Sequence, residues 1–235
     1  MYLPEITITI DLRLRRVPTV IILLYQTLPV MYTVFDEKEE KYIQVAKPDP
    51  SLSYTYADYL QWRFLERLEL LRGKIFQMSG PNTRHQIISG RFFVGLYNHL
   101  EKQKCQVFSA PFDVRLPVRN RLRDDEITTV VQPDICVICD ESKLDDRGCC
   151  GAPDLVVEIL SPGNSKKELR LKYEIYEEAG VREYWIVNVA EENVVVHVLS
   201  ALSKFEGVNM HAGRDVIRSS AIPGFALDVE RLFQG

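Results

Sequence analysis

Apolar residues along this chain recur with two different spacings, one typical of strands and one typical of helices. Short runs rich in β-branched and aromatic residues, each bounded by proline, glycine or charged residues, predict strands. Helical spacing with capping residues at the ends predicts helices. The predicted strands are 74–78, 106–109, 112–116, 128–139, 155–160, 184–189 and 194–199, and the predicted helices run from Ser53 or Thr55 to about residue 71, over 82–102 and over 165–179. Strands mixed with a crossover helix predict an α/β fold with a mixed β-sheet.

The predicted helix at 165–179 has the clearest boundaries. Ser165 and Glu168 form a capping-box pattern at its start, and Gly180 follows its end. With about 100° per residue, the apolar side chains form one broad arc, and Lys172 falls near the middle of that arc. A lysine in that position either extends its amine to solvent or meets a buried anion.

Two acidic residues interrupt apolar strands. Glu158 lies inside the run 155–160, and Asp134 follows Pro133 at the start of the run 135–139. A buried carboxylate is costly unless it is paired, hydrogen-bonded or bound to a metal. On neighbouring strands the two could bind one divalent cation, and their oxygen ligands suit Mg²⁺ or Mn²⁺. The alternative is that each acid is a turn residue or an ion-pair partner.

Two acids and a lysine suit the hydrolysis of a phosphodiester. A metal held by Asp134 and Glu158 would polarise the scissile phosphate and lower the pKa of an attacking water. Lys172 would orient that water or stabilise the developing negative charge. We therefore predict that these three side chains form the core of an active site.

The first fifty residues differ in character from the rest of the chain. Residues 17–35 are apolar, but Pro18, Gln26 and Pro29 interrupt them, and the stretch barely reaches the ~20 residues that a membrane span needs. Residues 36–50 are rich in charge and end in Lys-Pro-Asp-Pro, which predicts a linker that stops regular structure. We predict a β-rich or poorly ordered extension with a linker at 1–50, an endonuclease-like domain at 51–235, and no association with a membrane.

The overall charge limits how the chain could bind nucleic acid. A net charge of −4 and a pI of about 5.7 argue against a protein that coats nucleic acid through bulk positive charge. A bound cation and a local basic rim can replace global charge. The loop that carries Arg115, Arg119, Arg121 and Arg123 is a candidate nucleic-acid-binding rim, and a solvated loop of mixed charge is the alternative.

Five cysteines, an odd number without a regular framework, predict reduced thiols in a cytoplasmic protein. Cys136 and Cys139 have the spacing of a zinc-binding pair, but an odd separation along a strand sends the side chains to opposite faces. Cys149 and Cys150 are adjacent and poorly spaced for joint chelation. The sequence therefore disfavours a structural zinc site.

Three segments of the chain resemble one known family. They are Val131-Gln-Pro-Asp134, Gly151-Ala-Pro-Asp-Leu-Val-Val-Glu158-Ile-Leu-Ser-Pro162 and Lys172-x-x-x-Tyr176-x-x-x-Gly180-Val-x-Glu-Tyr-Trp185-Ile-Val. In these segments the sequence resembles the Uma-two-type endonucleases of the PD-(D/E)XK superfamily. The likeness extends from about residue 54 to about residue 233 and leaves the first fifty residues outside it.

The resemblance implies a restriction-endonuclease-like fold with a mixed sheet flanked by helices, dependence on magnesium, and DNA as the substrate. It adds two candidate site residues, Glu69 on the first predicted helix and His85 at the start of the second. A surface salt bridge for Glu69 and a capping or packing role for His85 are the alternatives. Where the superfamily carries a lysine two positions after the acid, this chain has Leu160, so the lysine has moved to the following helix as Lys172. Lys74 stands where the family often has an acid, and no ligand is assigned there.

Three functions are compatible with this sequence. An active endonuclease would work as a homodimer, because cutting both strands of a duplex usually takes two sites. A catalytically inactive nucleic-acid-binding or regulatory protein could keep the same fold. A metal hydrolase that acts on another phosphoester would share the residues and differ in its substrate groove. The presence of both acids and the helix lysine favours the endonuclease.

Overall fold

The computed structural model describes residues 31–36, 41–46, 48–49, 51–62, 66–119, 121–161 and 165–234. It divides the chain into two units, Met1–Pro48 and Asp49–Gly235. In the first unit, β1 (Met31–Asp36) and β2 (Lys41–Ala46) form an antiparallel pair. The predicted linker is therefore wrong at Lys41–Ala46, where tyrosine, isoleucine and valine favour an extended chain. Residues 17–30 of the apolar stretch lie outside the described residues.

The second unit alternates strands and helices along the chain. Its helices are α1 (Tyr56–Tyr59), α2 (Thr83–Leu100), α3 (Lys166–Ala179) and α4 (Val229–Phe233). Its strands are β3 (Leu68–Leu71), β4 (Lys74–Gln77), β5 (Gln106–Ser109), β6 (Val114–Arg115), β7 (Val130–Val131), β8 (Ile135–Ile138), β9 (Leu144–Asp145), β10 (Gly148–Cys150), β11 (Leu155–Ile159), β12 (Glu183–Asn188), β13 (Asn193–Leu199), β14 (Phe205–Ala212), β15 (Val216–Arg218) and β16 (Ala226–Asp228).

A six-stranded mixed sheet lies at the centre of this unit, with the strand order β14-β13-β12-β11-β8-β5. β11 and β12 are parallel and are joined through α3, whereas the other neighbours are antiparallel. Alternate residues of these strands enter two separate cores. Val157 and Trp185 pack with α2 and α4, while Val156 and Tyr184 pack with α3. Helices therefore cover both faces of the sheet, and the predicted α/β class with a mixed sheet is confirmed.

Pro133 separates two strands that the sequence predicts as one. The run 128–139 forms β7, which belongs to a second sheet of order β4-β3-β7-β6-β10-β9, and β8, which belongs to the central sheet. Proline has no N–H to donate to a strand ladder, so the run breaks at this residue. Asp134 consequently lies at the junction between the two sheets.

The first predicted helix is wrong over most of its length. Among the described residues of this stretch only Tyr56–Tyr59 is helical, and Leu68–Leu71 is a buried strand paired with β4. Arg72 and Gly73 connect the two strands with φ values of 50° and 78°, the backbone of a two-residue hairpin turn. Three apolar residues in a stretch of four do not distinguish strand from helix, and the Arg-Gly turn that follows was the available signal for a strand.

The other predicted elements agree with the structure to within a few residues. They are the helices α2 and α3 and the strands β4, β5, β11, β12 and β13. Ser165 accepts a hydrogen bond from the N–H of Glu168 at the start of α3, and Gly180 ends that helix with φ 87°. The strand predicted at 112–116 is shorter and comprises only Val114–Arg115.

The cysteine prediction is wrong for two of the five residues. Cys105 and Cys139 form a disulfide, while Cys136, Cys149 and Cys150 are free thiols. Gln106 pairs with Ile138 in the antiparallel ladder of β5 and β8, so the residues just outside that pair are neighbours as well. Such cross-strand proximity depends on strand pairing, which cysteine spacing alone does not show. No helix in the described part of the chain is long and apolar enough to cross a membrane.

Candidate active site

Glu158 occupies a buried position in the middle of the central sheet. Every residue of β11 is buried, and the Glu158 side chain belongs to a residue that is only 8% exposed. Burial is the largest influence on this carboxyl group and raises its pKa to about 7, while the charge of Lys172 acts in the opposite direction. The hydroxyl of Tyr176 donates a hydrogen bond of 2.7 Å to Oε1 of Glu158.

Lys172 points from α3 into the interior and contacts two carboxylates. The residue is 3% exposed, and its Nζ lies 3.0 Å from Oε1 of Glu158 and 2.9 Å from Oε2 of Glu69. Burial alone would lower the pKa of an amine, but the two carboxylates outweigh it and raise the pKa of Lys172. Lys172 therefore stays protonated and does not extend its amine to solvent.

Glu69 lies on a strand, β3, and not on the predicted helix. It is 1% exposed, and its Oε1 accepts hydrogen bonds from Nζ of Lys172 at 3.0 Å and from the backbone N–H of Gln132 at 2.8 Å. The alternative of a surface salt bridge is excluded by this burial. Glu69 therefore gives Lys172 a second carboxylate contact, from β3 in addition to the one from β11.

Asp134 and His85 form a second pair beside the first. Asp134 shares a hydrogen bond of 3.0 Å between its Oδ1 and Nε2 of His85, and its Oδ2 accepts the backbone N–H of Ile159 at 2.7 Å. Nδ1 of His85 lies 3.3 Å from the hydroxyl oxygen of Ser161. The N–H that binds Asp134 directly follows Glu158 in the chain, so β11 positions both acids.

One small cavity connects the two pairs. It has a volume of about 70 Å³ and is lined by side chains from β3, α2, β11 and α3, together with the segments beside them. The lining residues are Glu69, Gln77, Met78, Ser79, His85, Asp134, Glu158, Ser161, Glu168 and Lys172. All five residues predicted at the catalytic centre therefore face a common space. Three of the lining carboxylates, those of Glu69, Asp134 and Glu158, outnumber the single lysine and give that space an excess of negative charge.

Some residues of this site were not predicted as site residues. Glu168 was interpreted only as a capping residue, yet it lines the cavity with Lys172 four positions later. The i,i+4 spacing of these two residues was the available signal, because it places side chains on one helix face. Tyr176 follows Lys172 at the same interval. Gln132 contributes through its backbone N–H, which sequence pattern does not predict.

The donor atoms of this cavity are compatible with magnesium or manganese. Asp134 and Glu158 both present carboxylate oxygens, the hard ligands that these ions prefer. Within the described residues, no three histidine, cysteine, aspartate or glutamate side chains are arranged as a metal-binding group. Magnesium commonly binds through one or two carboxylates and takes its remaining ligands from water and phosphate. The carboxylates of Asp134 and Glu158 are therefore sufficient protein ligands for a magnesium ion.

The arginines of the predicted basic rim lie away from the cavity lining. Arg119, Arg121 and Arg123 are exposed on the connection between β6 and β7, and Arg123 is ion-paired with Asp125. Arg115 is not part of an exposed rim, because it is 2% exposed and donates a hydrogen bond to Asp145. The guanidinium of Arg115 therefore joins β6 to β9 within the second sheet.

Three comparisons relate this chain to known proteins. Residues 56–230 match the model of the Uma2 family, which is described as "Putative restriction endonuclease". An uncharacterised protein of Synechocystis sp. is 30% identical over 131 residues, which span 55% of this chain and 64% of that protein. The crystal structure of a "putative nuclease belonging to DUF820 from Anabaena variabilis" is similar in fold, with a TM-score of 0.62 and 18% identity over 77% of this chain and 97% of that one. This chain therefore belongs to the Uma2 family of restriction-endonuclease-like proteins.

Proposed function

We propose that this chain is a magnesium- or manganese-dependent endonuclease that hydrolyses phosphodiester bonds in DNA. The observation that carries the proposal is the buried Lys172, held between Glu69 and Glu158 in a cavity that Asp134 also lines. A protein that only binds nucleic acid has no physical need for a desolvated lysine beside acids, because burying these charges is costly. Membership of the Uma2 family supports a nuclease.

Asp134 and Glu158 would hold the metal ion. When bound, the ion polarises the scissile phosphate and activates water as a nucleophile. Lys172, which stays protonated, stabilises negative charge that develops on the phosphate. Glu69 and Tyr176 are positioning residues: Glu69 fixes the amine of Lys172, and Tyr176 orients the carboxylate of Glu158. Cleavage of both strands of a duplex would take two such sites, which a homodimer provides.

Cleavage of DNA by purified variants tests this function. We expect wild-type protein to nick plasmid DNA with magnesium or manganese and to lose this activity with a chelator. Glu158→Gln and Lys172→Met should each lower the rate by at least about a hundredfold, the usual effect of removing a group that stabilises the transition state. Lys167→Met, on the exposed face of α3, is the matched control and should retain full activity.

Two results would contradict the proposal. Full activity in Glu158→Gln would show that the cavity is not the reaction centre. Binding of DNA by the wild type without cleavage under any metal condition would instead indicate the catalytically inactive alternative. Circular dichroism of each variant separates a loss of chemistry from a loss of folding.

A further inference from the structure

A second cavity adjoins the candidate active site. It has a volume of about 270 Å³, and Met78, Ser79, His85 and Asp134 line both cavities. From these shared residues the second cavity extends along α2 as far as Phe93 and Val94. A substrate whose scissile phosphodiester lies at Asp134 would therefore have the adjoining nucleotide beside this second cavity.

Arg67 brings to the second cavity a positive charge that forms no ion pair with the described residues. Its Nε and Nη2 donate hydrogen bonds of 3.1 and 2.8 Å to a single neutral acceptor, Oε1 of Gln132. No carboxylate in the described part of the chain forms an ion pair with Arg67. Arg67 is half-buried and lines the cavity. A guanidinium in this state is suited to bind a phosphate.

The orientation of Arg67 is built into the fold. The amide Nε2 of Gln132 donates hydrogen bonds to Oδ1 of Asp113 at 2.8 Å and to the hydroxyl of Tyr59 at 3.1 Å. These contacts fix the amide oxygen of Gln132 toward Arg67. The backbone N–H of the same glutamine binds Glu69, so one residue connects the second cavity to the Lys172 site.

An aromatic side chain completes the second cavity. Phe93 lines it and is half-buried, with its ring stacked on Tyr97 at a centroid distance of 6.1 Å. Val94 beside it is 55% exposed. Bases of unpaired nucleic-acid strands commonly stack on aromatic side chains while cationic side chains bind the backbone. The cavity thus combines the two kinds of side chain that bind one nucleotide.

We propose that the second cavity binds one unpaired nucleotide of the substrate strand, next to the scissile phosphodiester. Arg67 binds a phosphate of that nucleotide, and Phe93 contacts its base. This inference rests on the proposed nuclease function. A volume of about 270 Å³ is near the lower limit of small-molecule sites, so it suits a single nucleotide and not a paired segment. The enzyme should therefore favour strands that are single or locally unpaired at the cleavage site.

Fluorescence anisotropy tests this subsite without relying on cleavage. The probes are a labelled oligothymidylate and a labelled blunt-ended duplex without unpaired nucleotides, titrated in magnesium against the Glu158→Gln chain so that the probe is not consumed. Adding Arg67→Ala should weaken binding of the single strand about tenfold and reduce the slope of log affinity against log salt by about one. Adding Phe93→Leu, which keeps an apolar side chain, should weaken single-strand binding about tenfold and leave duplex binding unchanged.

Two further variants act as controls. Phe93→Tyr restores a ring and should restore single-strand affinity. Arg214→Ala removes an exposed arginine that lines neither cavity and should have no effect on affinity. Equal affinities for the parent, Arg67→Ala and Phe93→Leu chains would overturn the subsite, as would equal losses on single strand and duplex in Phe93→Leu. A wild-type chain that binds the oligothymidylate but cleaves nothing would contradict the proposed function instead.

Discussion

Lys172 carries one positive charge into the interior, and the two carboxylates that contact it carry two negative charges when both are ionised. Lys172 and its two carboxylates together therefore carry a net negative charge, and Asp134 in the same cavity increases this excess. Burial, the largest cause, raises the pKa of Glu158, and the negative charges of Glu69 and Asp134 raise it further against the opposing effect of Lys172. A divalent cation would neutralise the excess and favour the ionised carboxylate.

Removal of Lys172 should destabilise the protein in a pH-dependent way. The Lys172→Met variant leaves Glu69 and Glu158 without their cation, and loss of one partner from a buried ion pair costs about 3–5 kcal/mol. The pKa of Glu158 is raised to about 7 in the folded protein, so the contribution of this group to stability is present below the unfolded pKa and is lost as the pH rises through 7. Below that pH the carboxyl group is protonated and needs no cation. Above it the carboxylate is ionised, and removal of Lys172 leaves its charge without a partner. Urea unfolding should show a larger loss at alkaline than at acidic pH.

A matched variant makes this test specific. The Lys167→Met variant removes an exposed lysine from the same helix and should change the free energy of unfolding by less than about 0.5 kcal/mol at either pH. An equal effect of Lys172→Met at both pH values would contradict the linkage with Glu158.

Among the secondary-structure elements, the β3–β4 hairpin has the most direct influence on the site. It presents Glu69 to Lys172, and its turn fixes the register in which Glu69 pairs with Phe76. Gly73 in that turn has φ 78°, and a Cβ atom there would lie 2.1 Å from the hydroxyl oxygen of Ser53. The position therefore requires glycine for both its backbone conformation and its close packing.

Two glycine substitutions should have opposite effects on stability. Gly73→Ala should lower the free energy of unfolding by about 1–2 kcal/mol, because an L-residue is strained in the left-handed region. Gly90→Ala, in the interior of α2, should raise it by up to about 1 kcal/mol, because a Cβ atom there meets nothing within 4 Å and alanine favours a helix. Urea unfolding of both variants checks the signs. Stabilisation by Gly73→Ala would show that the turn does not have this backbone.

Across the whole second unit, a buried carboxylate joins the central sheet to the segment near the carboxyl end of the chain. Glu183 on β12 is 1% exposed. Its Oε2 accepts hydrogen bonds from the indole N–H of Trp185 and the hydroxyl of Ser219, and its Oε1 accepts the backbone N–H and the hydroxyl of Ser220. Four donors satisfy this acid, and no charged side chain in the described part of the chain pairs with it, so we assign it a role in the fold.

Glu183→Gln should destabilise the protein by roughly 3 kcal/mol. The side-chain NH2 of glutamine would face the hydrogen-bond donors that now bind the carboxylate. Buried donors that lose a charged acceptor reduce the free energy of unfolding substantially. Hydrogen exchange of residues 219–225 should become faster, since this segment loses its attachment to β12. Glu206→Gln, at an exposed position of β14, is the control and should leave exchange and unfolding unchanged. A neutral effect of Glu183→Gln would mean that the four donors find other partners.

The main elements of the sheet and its two long helices could be predicted because their signals are local. The period of apolar residues in α3, its cap at Ser165 and its stop at Gly180 all lie within sixteen consecutive residues. The strand at 68–71 could not be predicted in the same way, since three leucines around one acid fit either structure. The Cys105–Cys139 bond depended on the pairing of β5 with β8, across 34 residues of sequence.

Local sequence pattern predicted only some residues of the candidate site. An acid within an apolar strand and a lysine within an apolar helix face both signal a buried charge that needs a partner, and Glu158 and Lys172 were predicted on that ground. Local sequence pattern does not identify the partners of these buried charges. Glu69 meets Lys172 across 103 residues, and Arg67 and Phe93 come from separate elements to line the same cavity.

The sequence by itself therefore determined which charges had to be buried, because the cost of burial is a property of each residue and its immediate neighbours. Only the tertiary structure decided how those charges are compensated, because electrostatic and hydrogen-bonding energies depend on distances between atoms that the chain brings together from remote positions.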